Sequence, residues 1–366
     1  MFAELKRFTT RYERRLSAAA FAAGFIFDNL TLQRVDRLYD NIVLLVYLVA
    51  ALCSILLINA KRARGENGEE ARPPAASGWR TVAQFLLPLA LGGLFSGFLV
   101  FYSRSGSLLA SAPFLLSLSA LFIGNELFKR HYERFAFQMC VFFVALFSYF
   151  SLTVPVLLRQ IGDGTFLLSG GISLLVFFGV LRVVRLVAPE EVQANRHILA
   201  PLVMMLFIFF NFLYFNNMIP PIPLSLKEAG IYHAAERTRG GQYLLSFEAP
   251  HWYEFGRVTS GTFHLVAGES VFALSSVYAP AQLTTDIVHR FEHFSPKNKE
   301  WETVGVVRFP ISGGRLDGFR GYSEKKSIAP GQWRISVETA RGQVIGRLSF
   351  DVVPASGQVL LSQVAQ

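Results

Sequence analysis

Cysteine is almost absent from this chain: Cys53 and Cys140 are the only two in 366 residues, and both fall inside long apolar runs. That excludes a disulfide framework and a cysteine-based zinc site. Charge is scarce as well, at 17% of residues, while 52% are hydrophobic and the mean hydropathy is +0.38. A soluble globular chain carries about a quarter charged residues, so a multi-pass membrane protein is the default. Enzyme signatures are missing: there is no HExxH, no GxSxG, no P-loop, no dinucleotide fingerprint and no carboxylate pair on an expected loop. No cofactor or metal is called for, and the reading leans away from an enzyme. The net charge of +9 also lies in the wrong place for nucleic acid. Residues 1–219 hold 20 Lys and Arg against 13 acids, and residues 220–366 hold 15 against 13, so the basic excess sits in short loops between apolar runs rather than on a soluble face.

What is present is organised around Pro201 to Pro223, PLVMMLFIFFNFLYFNNMIPPIP, an apolar run ending in prolines that cannot continue a helix. Its length approaches the roughly 20 residues that span a bilayer. Similar runs precede it, giving spans of about 42–59, 82–102, 107–125, 135–158, 166–187 and 198–217, after a short alanine-rich one at 16–32. No small-residue cleavage site follows that first run, so it is expected to be retained. If all seven cross, the segments 1–15, 60–81, 126–134 and 182–197 share one side and carry 16 Lys and Arg. The opposite short loops carry only Arg34, Arg37, Arg104 and Arg159. The bias places the N-terminus in the cytoplasm and the C-terminus outside. Small residues, Gly93 and Gly97 in one run and Ser169, Gly170, Gly171 and Ser173 in another, predict close helix packing. The charged loop 60–81, with Pro73 and Pro74, reads as a flexible connection.

The domain organisation expected is a transmembrane helical bundle over 1–219, a juxtamembrane linker and helix over 220–241, and an extracytoplasmic β domain over 242–366. The helix rests on Ser225-Leu226-Lys227-Glu228 as a capping box, with Gly240-Gly241 as its stop. Beyond it the pattern changes to period two. Leu283, Thr285, Ile287, His289 and Phe291 share a face, as do Trp333, Ile335 and Val337, and as do Val344, Leu348, Phe350 and Val352. Turn signals at 295–300, 312–318, 329–332 and 340–343 separate the strands, which predicts an antiparallel, immunoglobulin-like sandwich.

The blocks GIYHAAERTRGGQYLL, SSVYAPAQL, IVHRFEHF, RFPISGGRLDGFRGYSEKK and PGQWRISVETARGQVIGRLSF carry a resemblance over about the last 140 residues. They resemble the C-terminal domain of a bacterial family of multi-pass membrane proteins catalogued as a domain of unknown function. The resemblance implies a bacterial cytoplasmic membrane and a periplasmic or extracellular domain, and it brings no catalytic residues.

Polar residues at span ends, Asp28, Asn125 and Glu126, and Asn211 in the last span are candidates for a polar path. Interfacial placement is the plainer reading for the first three, since Asp28 and Glu126 face opposite leaflets, and Asn211 reads as interhelical glue. His289 and His293 lie four strand residues apart, about 13 Å, and cannot share a metal; His289 reads as a core histidine, and Trp301 and Trp333 as core fillers. The binding candidates are Arg315, Arg320, Tyr322, His251, Trp252 and Tyr253, aromatic planes with charged donors suited to an envelope glycan, a lipid headgroup or a partner protein. The function expected is a non-enzymatic membrane protein displaying this binding module. The alternative is a transporter, or an accessory to one, with a polar path through the bundle.

Overall fold

The computed structural model describes residues 25–365 apart from 33, 61–73, 108, 128–133, 239–241, 255 and 267, with backbone only at 74–78, 81 and 124–127. The chain divides into two compact units, one helical and one built on β-strands.

Seven helices are present among the described residues: α1 (25–31), α2 (Leu38–Asn59), α3 (Pro74–Arg104), α4 (Ala112–Leu127), α5 (Phe135–Leu158), α6 (Asp163–Val187) and α7 (Pro189–Phe215). Five of them, α2, α3, α5, α6 and α7, are long and apolar enough to cross a membrane. Helix α4 has 16 described residues and reaches the edge of segment 128–133, which lies outside the described residues, as does most of the expected first span, up to residue 24. Two expected loops are partly helical. Helix α3 is already present at 74–81 of the connection read as flexible, and Pro189 opens α7 inside the segment 182–197, leaving only Ala188 between α6 and α7. Proline suits the first helical position because the amide it lacks would be unpaired there anyway.

Phenylalanine fills the helical unit. Phe147 stacks on Phe210 at 4.6 Å and meets Phe166 edge-on at 5.7 Å, and Phe143 meets Phe177 at 5.3 Å. The small residues do what their spacing suggested: a Cβ on Gly93 would strike the Tyr47 ring, one on Gly97 would strike Leu44, and one on Gly170 would press on Phe207. Side-chain amides pin the antiparallel pair α2 and α5 at both ends, Asn59 donating to Gln138 at 2.6 Å and Thr153 to Asn41 at 3.2 Å.

Among its described residues the second unit holds eleven strands: β1 (Ser225–Tyr232), β2 (Ala234–Arg237), β3 (Tyr243–Phe247), β4 (Thr262–Leu265), β5 (Val271–Tyr278), β6 (Thr284–Ser295), β7 (Glu300–Ser312), β8 (Phe319–Lys325), β9 (Gly331–Thr339), β10 (Val344–Pro354) and β11 (Ser362–Ala365). They form sheets β1-β5-β8, β4-β10-β9-β6-β7 and β11-β3-β2. All pairings are antiparallel except β10 with β4. The first two sheets share a core in which Ile231, Val271 and Ala273 meet Phe291, Trp333, Ile335 and Phe350. On the other face of the first sheet, Tyr232 and Leu274 pack with Leu245 of β3.

The helix expected near 226–239 is strand. Ser225 and Glu228 match a capping pattern, but Ile231 and Tyr232 are buried in pairing with β5, and Gly230 is a weak helix former. Burial of a β-branched and an aromatic side chain outweighed a four-residue signature. The loops 103–112 and 155–165 belong to the same compact unit as the strands. Ser107 donates to the Val344 carbonyl at 3.2 Å, Ser105 to that of Leu224, and Arg341 of the β9–β10 turn pairs with Asp163.

Candidate functional site

Strand β3 ends at Phe247, and the chain does not return to a sheet until Thr262. The loop between them is closed at its root, where the Ser260 amide donates to the Glu248 carbonyl at 2.9 Å and the Asp351 amide to the Gly261 carbonyl at 2.8 Å. Inside it, the Glu254 carboxylate accepts from the His251 amide at 2.7 Å and the Gly261 amide at 2.6 Å. Arg257 donates to the Ser349 carbonyl at 2.8 Å and ties the loop to β10. At the tip the His251 and Tyr253 rings lie parallel, 5.1 Å apart with 4° between planes, and Trp252 stands at 84° to Tyr253. Trp252 is 85% exposed and Tyr253 58%. Large aromatic faces in water on a hydrogen-bonded loop form a contact surface that loses little conformational entropy on binding.

Beneath the root lies a chain of titratable groups. Buried His233, at the junction of β1 and β2, has Nδ1 2.7 Å from Glu269 and Nε2 3.1 Å from Glu248, and its ring stacks 4.0 Å from Phe263. Glu248 also accepts from the His264 ring at 2.6 Å and the His264 amide at 2.6 Å. With a carboxylate at each ring nitrogen, only the imidazolium form of His233 donates to both. Burial alone would raise the Glu248 carboxyl, but the bonds from His264 and His233 outweigh it and hold the group below the ordinary carboxylate value. These contacts join residues from four separate chain segments, so periodicity could not find them. The only trace in the sequence is that five of the seven histidines follow residue 230.

The expected binding set does not form one patch. Tyr322 meets the Tyr243 ring at 5.5 Å, at the start of β3, whereas the aromatic loop follows the strand's other end, about 13 Å away along it. Arg320 shares the outward face of β8 with Tyr322 and is half-buried. Arg315 is exposed on the β7–β8 loop, its guanidinium 5.4 Å from the Phe319 ring centre. That loop packs on the β5–β6 connection, the Gly314 amide donating to the Ala279 carbonyl at 3.1 Å. In the helical unit, Asp28 is half-buried in α1, and Asn125 and Glu126 are helical in the last turn of α4. Asn211 donates to the Phe207 carbonyl of its own helix at 2.8 Å, so the bond it makes is not interhelical.

His289 is a core histidine, fully buried between Ser275 and Ser323 with 2.7 Å to each hydroxyl, and burial pushes its pKa down to about 4. Both ring nitrogens are taken by hydroxyls and the ring is out of reach of solvent. Trp333 fills the core as expected. Trp301 does not: it is half-buried beneath the Arg334 guanidinium at 4.5 Å, and Arg334 in turn grips Glu292 through two bonds of 2.6 and 2.8 Å. A large ring at the head of a long strand there is held by a cation rather than by the core. Among the described residues no three His, Cys, Asp or Glu side chains converge as a metal site.

Residues 284–352, from β6 into β10, match the family described as "Protein of unknown function (DUF2914)". No curated protein matches the chain. Among solved structures, an immunoglobulin-like protein from Pseudomonas aeruginosa is similar at 13% identity over 36% of this chain and 96% of that one, with a TM-score of 0.19. An alkylpurine DNA glycosylase from Pseudomonas fluorescens, bound to DNA containing an abasic site analog, is similar at 9% identity over 88% and 100%, with a TM-score of 0.23. TM-scores this low establish no common fold.

Proposed function

We propose that this chain is a multi-pass protein of the bacterial cytoplasmic membrane whose immunoglobulin-like β-sandwich lies outside the cytoplasm and binds an envelope glycan without catalysis. The observation that carries the binding role is the exposed Trp252 and Tyr253 pair on a loop braced by Glu254 and Arg257. An indole face in water on a preorganised loop suits the apolar face of a sugar ring. Two sheets that share one core support the sandwich reading. The loops holding Arg104 and Arg159, from the arginine-poor side of the bundle, fall in one compact unit with the strands, which supports the orientation. The transporter alternative draws less support, because the rings of Phe143, Phe147, Phe177 and Phe210 occupy the helix interior where a polar path would run.

The test is retention of the detergent-solubilised full chain on purified cell-wall glycan. Replacing Trp252 and Tyr253 together by alanine should weaken retention by about tenfold or more, since central aromatic anchors are worth 2 kcal/mol or more. Undiminished retention removes the loop from the site, and retention on lipid vesicles or on an envelope protein instead would change the ligand class.

A further inference from the structure

Helix α6 begins at Asp163 and rises about 28 Å before reaching Arg182, at 1.5 Å per residue, close to the roughly 30 Å of a bilayer's hydrocarbon core. Arg182 and Arg185 therefore stand at headgroup depth. Leading up to them, Leu175, Phe178, Gly179 and Leu181 line an open groove of 690 Å³, to which α7 contributes Val192. Two features show that the protein leaves this groove unfilled. A Cβ placed on Gly179 would meet nothing within 4 Å, unlike those on Gly93, Gly97 and Gly170. Neither guanidinium pairs with an acid among the described residues. Glu190 lines the adjoining dent with Arg185 but forms no salt bridge with it. The surrounding surface, Leu175, Phe178, Val183 and Leu186, is exposed and apolar, as a lipid-facing helix must be.

We propose that this groove binds one anionic phospholipid, with the phosphate on Arg182 and Arg185 and the upper acyl chain along Leu175, Phe178 and Gly179. The charge selects the headgroup and the missing side chain admits the tail. Two guanidiniums that pair with no acid among the described residues offer forked donors to phosphate oxygens, and each basic residue at a membrane surface favours anionic lipid by about a tenfold factor at most. The inference requires only that α6 crosses a bilayer and is independent of any glycan binding.

The test is native mass spectrometry of the full chain released from mixed micelles holding equal phosphatidylglycerol and phosphatidylcholine with matched chains. The wild type should retain phosphatidylglycerol over phosphatidylcholine by about tenfold. Arg182→Gln with Arg185→Gln should erase that preference, and Arg182→Lys with Arg185→Lys should keep it. Gly179→Leu leaves both charges in place and should still lower retention, because its side chain occupies the tail's position. It also decides the matter if the double glutamine variant fails to fold. Equal retention of the two lipids by the wild type, an unchanged preference in the glutamine pair, or undiminished retention by Gly179→Leu overturns the proposal.

Discussion

His233 and His289 are both buried, and their neighbours put them to opposite uses. His289 faces two hydroxyls and is held neutral, whereas His233 lies between two carboxylates. Because burial pushes the His289 pKa down from 6.5 to about 4, the unfolded chain takes up a proton there between those values that the folded chain refuses. The folded state should therefore lose stability as pH falls from 6.5 to 4, by roughly 3 kcal/mol from this residue. Urea titration of the detergent-solubilised chain, followed by tryptophan fluorescence, three of whose four sources (Trp252, Trp301 and Trp333) lie in the β unit, measures this. His289→Asn should flatten the slope in that window, and an unchanged slope would assign it elsewhere. Glu248 pushes in the same direction: held below its ordinary value, its carboxylate stabilises the fold above the ordinary carboxylate range, and that support fades as pH falls through the folded value. His289 was legible in the sequence because its alternation with Ile287 and Phe291 fixed its face. His233 was not, since its partners Glu248 and Glu269 lie 15 and 36 residues away and only strand pairing brings them close.

At the scale of elements, long periodic segments were readable and their ends were not. Alternation gave β6 and β9 and the inward Leu348, Phe350 and Val352 of β10, but a bulge between Val344 and Gly346 puts Ile345 rather than Val344 in the core; apolar run length gave α2, α5 and α7. Segment 182–197, read as a connection, is mostly helical, with α7 beginning at Pro189, because proline is excluded from a helix interior but welcome at its first position. Ser225 to Glu228 misled in the opposite way, a local cap pattern overridden by pairing with Tyr278, Val277 and Ser276. The bond from Asn59 to Gln138 joins helices 79 residues apart and no spacing announces it. A double-mutant cycle with Asn59→Ala and Gln138→Ala, read by thermal unfolding in detergent, should give a coupling of about 0.6 kcal/mol. A coupling near zero would mean that the two amides find other partners once separated.

For the whole molecule, the charge asymmetry between the ends of greasy helices is what supports the proposed placement of the strands outside the cytoplasm. A reporter that is active only outside the cytoplasm, fused after Gln366, should give signal, and one active only inside should not. The reverse outcome would invert the arrangement and remove the envelope ligand with it. What ran ahead of the sequence was the binding surface, because Arg315, Arg320 and Tyr322 are near His251, Trp252 and Tyr253 only in type. The chain folds them onto different ends of the β region, and a list of suitable residues contains no information about which end each reaches.

The loop that carries Trp252 is fixed to the strands by three ties: the Ser260 amide to the Glu248 carbonyl, Arg257 to the Ser349 carbonyl, and the Ile231 amide to the Thr259 hydroxyl. Its tip, His251 to Tyr253, is exposed beyond them. Those three positions are the exchangeable part, and a loop rewritten for another ligand, or grafted onto another β scaffold, has to keep Glu254, Arg257 and Thr259 together with the clasp at its base.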